Sequence, residues 1–253
     1  MRVKLDLEGA VVLVTGGTRG VGAGIGRAFR GAGSVVIPCG RRSDPDPEFI
    51  SCDVRDAEQV SSLIDTILER HHRLDVVVNN AGGSPFALAA DASPRFHQKI
   101  VELNLLAPLL VSQAANAVMQ RQAGGGSIVM VSSVSGRRPS PGTAAYGAAK
   151  AGLDNLTASL AVEWAPKVRV NSLSVGPVLT EQSHLHYGDA AGIAAVARTV
   201  PLGRLATPDD VGACAVFLAS PLASYVSGAT LAVHGGGEVP AFLAASNARE
   251  EQS

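Results

Sequence analysis

Seven short runs rich in β-branched residues recur along the chain, at 11–14, 35–37, 49–52, 76–79, 128–132, 168–173 and 230–233. Most do not alternate apolar with polar residues, so they read as strands buried on both faces. Longer segments at 21–32, 57–70, 94–121, 146–165 and 208–219 have helical length and patterning and lie between most of them. Strands joined by helices rather than tight turns form a parallel sheet, and the right-handed crossover rule winds helices onto both of its faces. The expectation is therefore α/β: a doubly wound, mainly parallel seven-stranded sheet in one domain spanning 1–253.

Composition narrows the function. The chain is 46% hydrophobic, enough for a sizeable core, and 21 Lys and Arg against 22 Asp and Glu leave a net charge of −1. That balance argues against a nucleic-acid partner. Cys39, Cys52 and Cys214 form no CxxC pair, which argues against a disulfide framework and fits a reducing cytoplasm. Asp6 and Glu8 interrupt the N-terminal run, so no signal peptide is expected. Residues 211–233 carry no charge and are long enough to span a bilayer, but Pro221 and the glycines and serines around it favour a buried helix–loop–strand and no membrane partner. Residues 179–204 read as a lid with one short helix near 190–200, and 238–253 as a surface or inter-subunit arm.

The first strand runs directly into Thr15-Gly16-Gly17-Thr18-Arg19-Gly20-Val21-Gly22 and then a helix. Glycines at 16, 20 and 22 permit a tight turn and let backbone N–H groups approach a pyrophosphate at the helix N-terminus. A strict GxGxxG is absent, and a plain Gly-rich turn is the simpler alternative. Further motifs follow in order: Asp53-Val54 after the third strand, Asn79-Asn80-Ala81-Gly82 after the fourth, Asn104 in the long central helix, Ser133 ending the fifth, and Tyr146-Gly147-Ala148-Ala149-Lys150 opening the next helix. Asn171, Gly176, Thr180, Gly228 and Gly235-Gly236 continue the series, and Ser133 and Tyr146 stand thirteen residues apart. The TGxxxGxG loop and this ordered set resemble the classical short-chain dehydrogenase/reductase family over about residues 5 to 237.

The resemblance implies a Rossmann-type fold, a nicotinamide cofactor and no metal, with a small carbonyl or alcohol as substrate. By the same resemblance Gly16, Thr18, Arg19, Gly20, Val21, Gly22, Asp53, Val54, Asn80, Ala81, Gly82, Gly176, Val178 and Thr180 hold the cofactor, with Tyr146 and Lys150. Similar proteins that use NAD carry an acid at the end of the second strand; here Gly40 stands there, followed by Arg41 and Arg42. A guanidinium binds a 2′-phosphate with bidentate, charge-assisted bonds, so NADP(H) is expected over NAD(H). The alternative is that both arginines are ordinary surface cations paired with Asp44 or Asp46.

Tyr146 and Lys150 at i and i+4 share a helix face. A phenol with an ordinary pKa near ~10 is a proton donor at neutral pH, and a cation about 4 Å away would lower it enough for the reverse reaction. Ser133 is placed to orient a carbonyl oxygen, and in the family Asn104's counterpart anchors a water relay to the lysine. Pro108 lacks the N–H that would bond the Asn104 carbonyl, which fits either that relay or a plain helix kink. The expected activity is interconversion of a ketone and a secondary alcohol, with a 3-oxoacyl thioester as the leading substrate. The alternative is a catalytically idle NADP-sensing or scaffold protein on the same fold.

Two places depart from the family pattern: Val175-Gly176-Pro177 replaces the usual Pro-Gly, and His234-Gly235-Gly236 replaces Asp-Gly-Gly. His184 and His186 have the spacing of a strand-borne metal pair but no companion ligands, so they read as lid surface or pocket wall. Arg137 and Arg138 follow Ser133 and read as a solvated loop, or as a mouth that attracts an anionic substrate. Alanine- and leucine-rich faces on 94–121 and 146–165 exceed what one core needs; by resemblance they pair copies into a homo-oligomer, a dimer or a tetramer.

Overall fold

The computed structural model describes residues 5–245. Its seven strands are β1 (Val11–Thr15), β2 (Val35–Gly40), β3 (Ile50–Ser51), β4 (Val76–Asn79), β5 (Gly126–Ser133), β6 (Val168–Val175) and β7 (Thr230–Val233). They lie in the order β3-β2-β1-β4-β5-β6-β7, and every pairing is parallel. The order reverses between β1 and β4, so their C-terminal ends open the crevice where such sheets bind ligands.

Side chains leave each strand on alternate faces, and each face has its own helices. Val12, Val14, Val36, Val78 and Val129 meet α1 (Gly20–Gly31) and α8 (Pro208–Ala219). Leu13, Ile37, Val77, Ile128 and Met130 meet α2 (Ala57–His71), α4 (Ala107–Met119) and α5 (Ala144–Glu163). Glycine sets the closest of these approaches. A Cβ on Gly24 would lie 2.3 Å from Pro208, and one on Gly212 would lie 2.8 Å from the Gly24 carbonyl oxygen. Caps fix the helix starts: the Asp56 carboxylate accepts from Glu58 and Gln59 at α2, and Thr207 and Asp210 form a reciprocal capping box at α8.

Two expectations change. The long central helix is α3 (Pro94–Val101), a π turn (Glu102–Leu106) and then α4. Pro108 has no N–H to give, and the helix widens upstream of it, Ala107 donating to Glu102 five residues back. Residues 179–204 hold two helices and not one, α6 (His184–Tyr187) and α7 (Ala190–Thr199), and are closed at their base by Leu179–Ala206 and Ala206–Pro177 backbone bonds. His184 and His186 therefore sit on one helical turn, where i and i+2 side chains diverge. Among the described residues no His, Cys, Asp or Glu cluster could hold a metal.

The uncharged stretch at 211–233 is α8, a 3₁₀ turn and β7, not one span. Pro94–Met119 is long and apolar enough to cross a membrane by length and composition, yet its buried side covers the sheet. Of the expected C-terminal arm, Glu238 pairs with Arg138 at 2.7 Å and Ala241–Ala245 forms α9; residues 246–253 lie outside the described residues.

Candidate active site

At the crevice, β1 ends in Thr15, whose side chain ties three segments together. Its hydroxyl accepts from the N–H groups of Asn80 and Ala81, both at 3.0 Å, while Asn80 Nδ2 donates to the Thr15 and Gly16 carbonyls at 2.9 and 3.1 Å. Gly16 and Gly20 adopt φ of +62° and +51°, which an L side chain resists. A Cβ on Gly22 would lie 2.2 Å from the Gly16 oxygen, so only glycine lets α1 start this close to the loop. Arg19 caps α1 without a side-chain bond, and the first turn holds no acid. The helix N-terminus is thus left for an external anion, and the cradle fits a dinucleotide pyrophosphate.

A cleft of about 640 Å³ runs from this loop in two directions. Its walls include Gly16, Thr18, Arg19, Gly20, Val21, Gly22, Arg41, Arg42, Asp53, Val54, Asn80, Ala81 and Gly82, and on the far side Ser133, Tyr146, Lys150, Gly176, Val178 and Thr180. The structure therefore brings together every site residue read from the sequence except Asn104, which is wholly buried behind the wall.

Toward β2, Arg41 and Arg42 are exposed and form no ion pair among the described residues; Asp46 is taken by Arg30. Asp53 is held by Arg55 at 2.5 and 2.9 Å, which keeps its carboxyl below the usual range. Cys52 also lines this end, and burial with Asp53 and Asp56 nearby pushes its thiol up to about 11.

At the other end, α5 presents Tyr146 and Lys150. Lys150 is buried, and its Nζ donates to the Val131 carbonyl at 2.7 Å, 5.6 Å from the centre of the Tyr146 ring. Burial pulls its pKa from 10.5 down to about 8, against the opposing pull of Asp154. The Tyr146 phenol is pushed above its ordinary value by burial and by Tyr187, with Ser133 acting the other way. The lysine is aimed at β5 rather than at the phenol, so desolvation and not the ammonium sets the proton on Tyr146.

Asn104 acts on the wall rather than in the cleft. From the π turn its Oδ1 accepts from Gly83 N–H at 2.8 Å, and its Nδ2 donates to the Gly83 and Ile100 carbonyls, both at 2.9 Å. A Cβ on Gly82 would come within 2.7 Å of Asn104 Oδ1 and 3.4 Å of Lys150 Nζ, so this glycine lets the loop, the amide and the ammonium converge. Thr180 lies against the phosphate loop, its methyl 3.6 Å from where a Gly20 Cβ would stand. Val178 is bridged to Ala206, and Gly176 packs on His234. Arg137 and Arg138 are both engaged, with Asp154 and Glu238.

Sequence reasoning missed Thr15, Asp154, Glu181 and Gln182 as parts of the site or its frame, whereas His186 lines the cleft as a pocket-wall residue. The signal for Thr15 was its place at the head of the glycine loop. Glu181 and Gln182 carried no spacing that could have singled them out.

A parallel sheet with a glycine cradle at its switch point, leading to a Ser–Tyr–Lys end whose lysine is buried, defines a nicotinamide-dependent oxidoreductase. Known proteins agree. A family model described as Enoyl-(Acyl carrier protein) reductase matches residues 16–238. A D-threitol dehydrogenase of Mycolicibacterium smegmatis is 35% identical, covering 91% of this chain and 93% of its own. A 3alpha-hydroxysteroid dehydrogenase of Mediterraneibacter gnavus is also 35% identical, over 90% and 97%. The solved aldohexose dehydrogenase of Thermoplasma acidophilum superposes with a TM-score of 0.87 at 31% identity, covering 92% of this chain and 96% of its own. The chain belongs to the short-chain dehydrogenase/reductase family.

Proposed function

We propose that the protein is an NADP(H)-dependent reductase that interconverts a ketone and a secondary alcohol, with Tyr146 as proton donor, in the cytoplasm. The observation that carries it is the meeting of Ser133, Tyr146 and Lys150 at one end of a cleft whose other end holds the glycine cradle. When bound, the nicotinamide supplies or accepts the hydride. Gly16, Gly20 and Gly22 receive the pyrophosphate, Lys150 the nicotinamide ribose, and Val178 and Thr180 the carboxamide side. Ser133 orients the carbonyl oxygen and Tyr146 gives it the proton; a phenol that burial holds protonated is the acid that carbonyl reduction needs. Residues 179–204 act as the lid, and the three free cysteines are in keeping with a reducing compartment.

Selectivity for NADP(H) is argued from Arg41 and Arg42, which form no ion pair within 4 Å among the described residues. Arg41→Ala is expected to weaken NADPH binding about tenfold or more while leaving NADH within about twofold, because a charge-assisted bond to phosphate is worth roughly 1.5–3 kcal/mol. Cofactor fluorescence titration checks this, and equal losses for the two cofactors would refute it.

For the substrate, a 3-oxoacyl thioester remains the leading class. Phe86, Leu88 and Leu202 on loops and Leu185 on α6, all following strands of the sheet, are exposed, which suits an acyl chain better than a polyol. The outer faces that leave Leu106 and Val162 exposed are the proposed contacts of a homo-oligomer, a dimer or a tetramer. The test is nicotinamide absorbance with a carbonyl panel of acetoacetyl-CoA, medium-chain ketones, a steroid ketone and a reactive diketone, with NADPH and NADH in parallel. Oxidation of NADPH by an acyl or apolar member supports the reading. Tight NADPH binding with no turnover on any member would favour the idle sensor.

A further inference from the structure

Burying an ammonium in a protein interior is unfavourable unless something balances it. Lys150 has one hydrogen-bond acceptor, a neutral carbonyl, and no ion pair among the described residues. One helical turn further along α5 lies Asp154, so Tyr146, Lys150 and Asp154 follow each other at i, i+4 and i+8 along one face.

The carboxylate of Asp154 is fixed from two other elements. Ser172 of β6 donates to its Oδ1 at 2.9 Å, and Arg137, in the turn after β5, approaches its Oδ2 at 3.5 Å. Ser172 pairs in register with Met130, the neighbour of the Val131 whose carbonyl holds Lys150. The two charges thus reach down from α5 to adjoining points on two adjacent strands, which in any sheet run about 4.8 Å apart.

The other groups around Lys150 do not balance it. Tyr146 and, beyond it, Tyr187 are phenols held protonated. Arg137 has the wrong sign, and Val131, Ser132, Ser172 and Asn104 are uncharged.

We propose that Asp154 is a positioning residue of the active site: its carboxylate, fixed by Ser172 and partly offset by Arg137, is the negative charge that keeps buried Lys150 an ammonium. Asp154 acts through Lys150 and not on the substrate. This rests on the catalytic reading of Tyr146 and Lys150 and adds to it the group that sets the lysine's charge. The electrostatics of Lys150 follow the same direction, burial lowering its proton affinity and Asp154 raising it.

The test uses the full-length protein and reads Lys150 directly, without turnover. The chain has four lysines, so a spectrum of protein labelled at lysine Cε resolves them, and Lys150→Met assigns the signal. Asp154→Asn keeps the acceptor for Ser172 and removes only the charge. It is expected to lower the Lys150 titration midpoint by about one to two pH units, the size of a unit-charge interaction at roughly 6–12 Å in a medium of dielectric ~20. The limb of the pH–rate profile that belongs to Lys150 should move with it, and Asp154→Glu should restore both.

Arg137→Ala, at a half-exposed position, carries the opposite sign: with the competing cation gone the Lys150 midpoint should rise. It keeps the proposal testable even if Asp154→Asn fails to fold. A Lys150 midpoint unmoved in folded Asp154→Asn, or unmoved in Arg137→Ala, overturns the proposal while leaving the catalytic reading intact. A midpoint that moves in a protein whose turnover survives Lys150→Met supports the coupling and sinks the catalytic reading instead.

Discussion

Tyr146→Phe is expected to lower kcat/KM for the best carbonyl substrate by about a thousandfold, within the range that general acid catalysis supplies, and to leave NADPH affinity within about twofold. The substitution removes one hydroxyl from a half-buried ring and no backbone bond, so the fold and the glycine cradle stay as they are. What remains near the oxygen is Ser133, whose hydroxyl accepts from Ser135 N–H at 3.2 Å and can orient a carbonyl but is a poor acid at neutral pH. Because burial holds the Tyr146 proton on, reduction by the native protein should be flat through neutral pH and decline only on the alkaline side. Steady-state rates of both proteins from pH 6 to 10, beside a binding titration, check the two halves together. Turnover that persists in Tyr146→Phe would remove the phenol from the chemistry, whatever the cofactor does.

The sheet was legible because its signal is local: each short run rich in β-branched residues is a strand, although the edge strands β3 and β7 are only partly buried. Most of the cleft was legible for a related reason, since its residues sit at strand ends that the runs already mark. What escaped depends on which distant segments become neighbours. Thr15 is one more strand residue until β4 lies beside β1 and brings Asn80 and Ala81 to its hydroxyl. Asp154 is one more polar helix residue until β6 brings Ser172 against it. Asp46 looked like a partner for Arg41 or Arg42, its neighbours in the chain, yet Arg30 reaches it from α1 because β2 returns alongside that helix. Pro108 marked a disturbance in the central helix, but whether the chain would kink or widen into a π turn depends on Asn104, whose amide is spent on Gly83 and Ile100. His184 and His186 have the spacing of a strand-borne metal pair, but they lie on a helix that sends the two side chains apart, and His186 lines the cleft, in line with the pocket-wall reading.

Lys150→Met is expected to abolish measurable turnover and yet make the protein more stable at pH 7. In the native chain the lysine titrates at about 8 instead of 10.5, because its charged form is buried. The native state therefore holds this proton less tightly than the unfolded chain does. Below about pH 8 the whole penalty is present, it shrinks as pH rises from about 8 to 10.5, and above that window it is gone. The gap corresponds to roughly 3 kcal/mol, of which about 1 kcal/mol is offset by loss of the bond to the Val131 carbonyl. A methionine fills the same buried volume without a charge, so Tm should rise by about 5 °C at pH 7. Against the native protein that gain should fade as the pH is raised through the same window. Calorimetry at pH 7 and pH 10 separates this from a packing effect, which would not change with pH. A variant less stable than the native protein at pH 7 would mean that Lys150 is there for the architecture. A stable but inactive one would mean that the fold tolerates this ammonium because the reaction needs it.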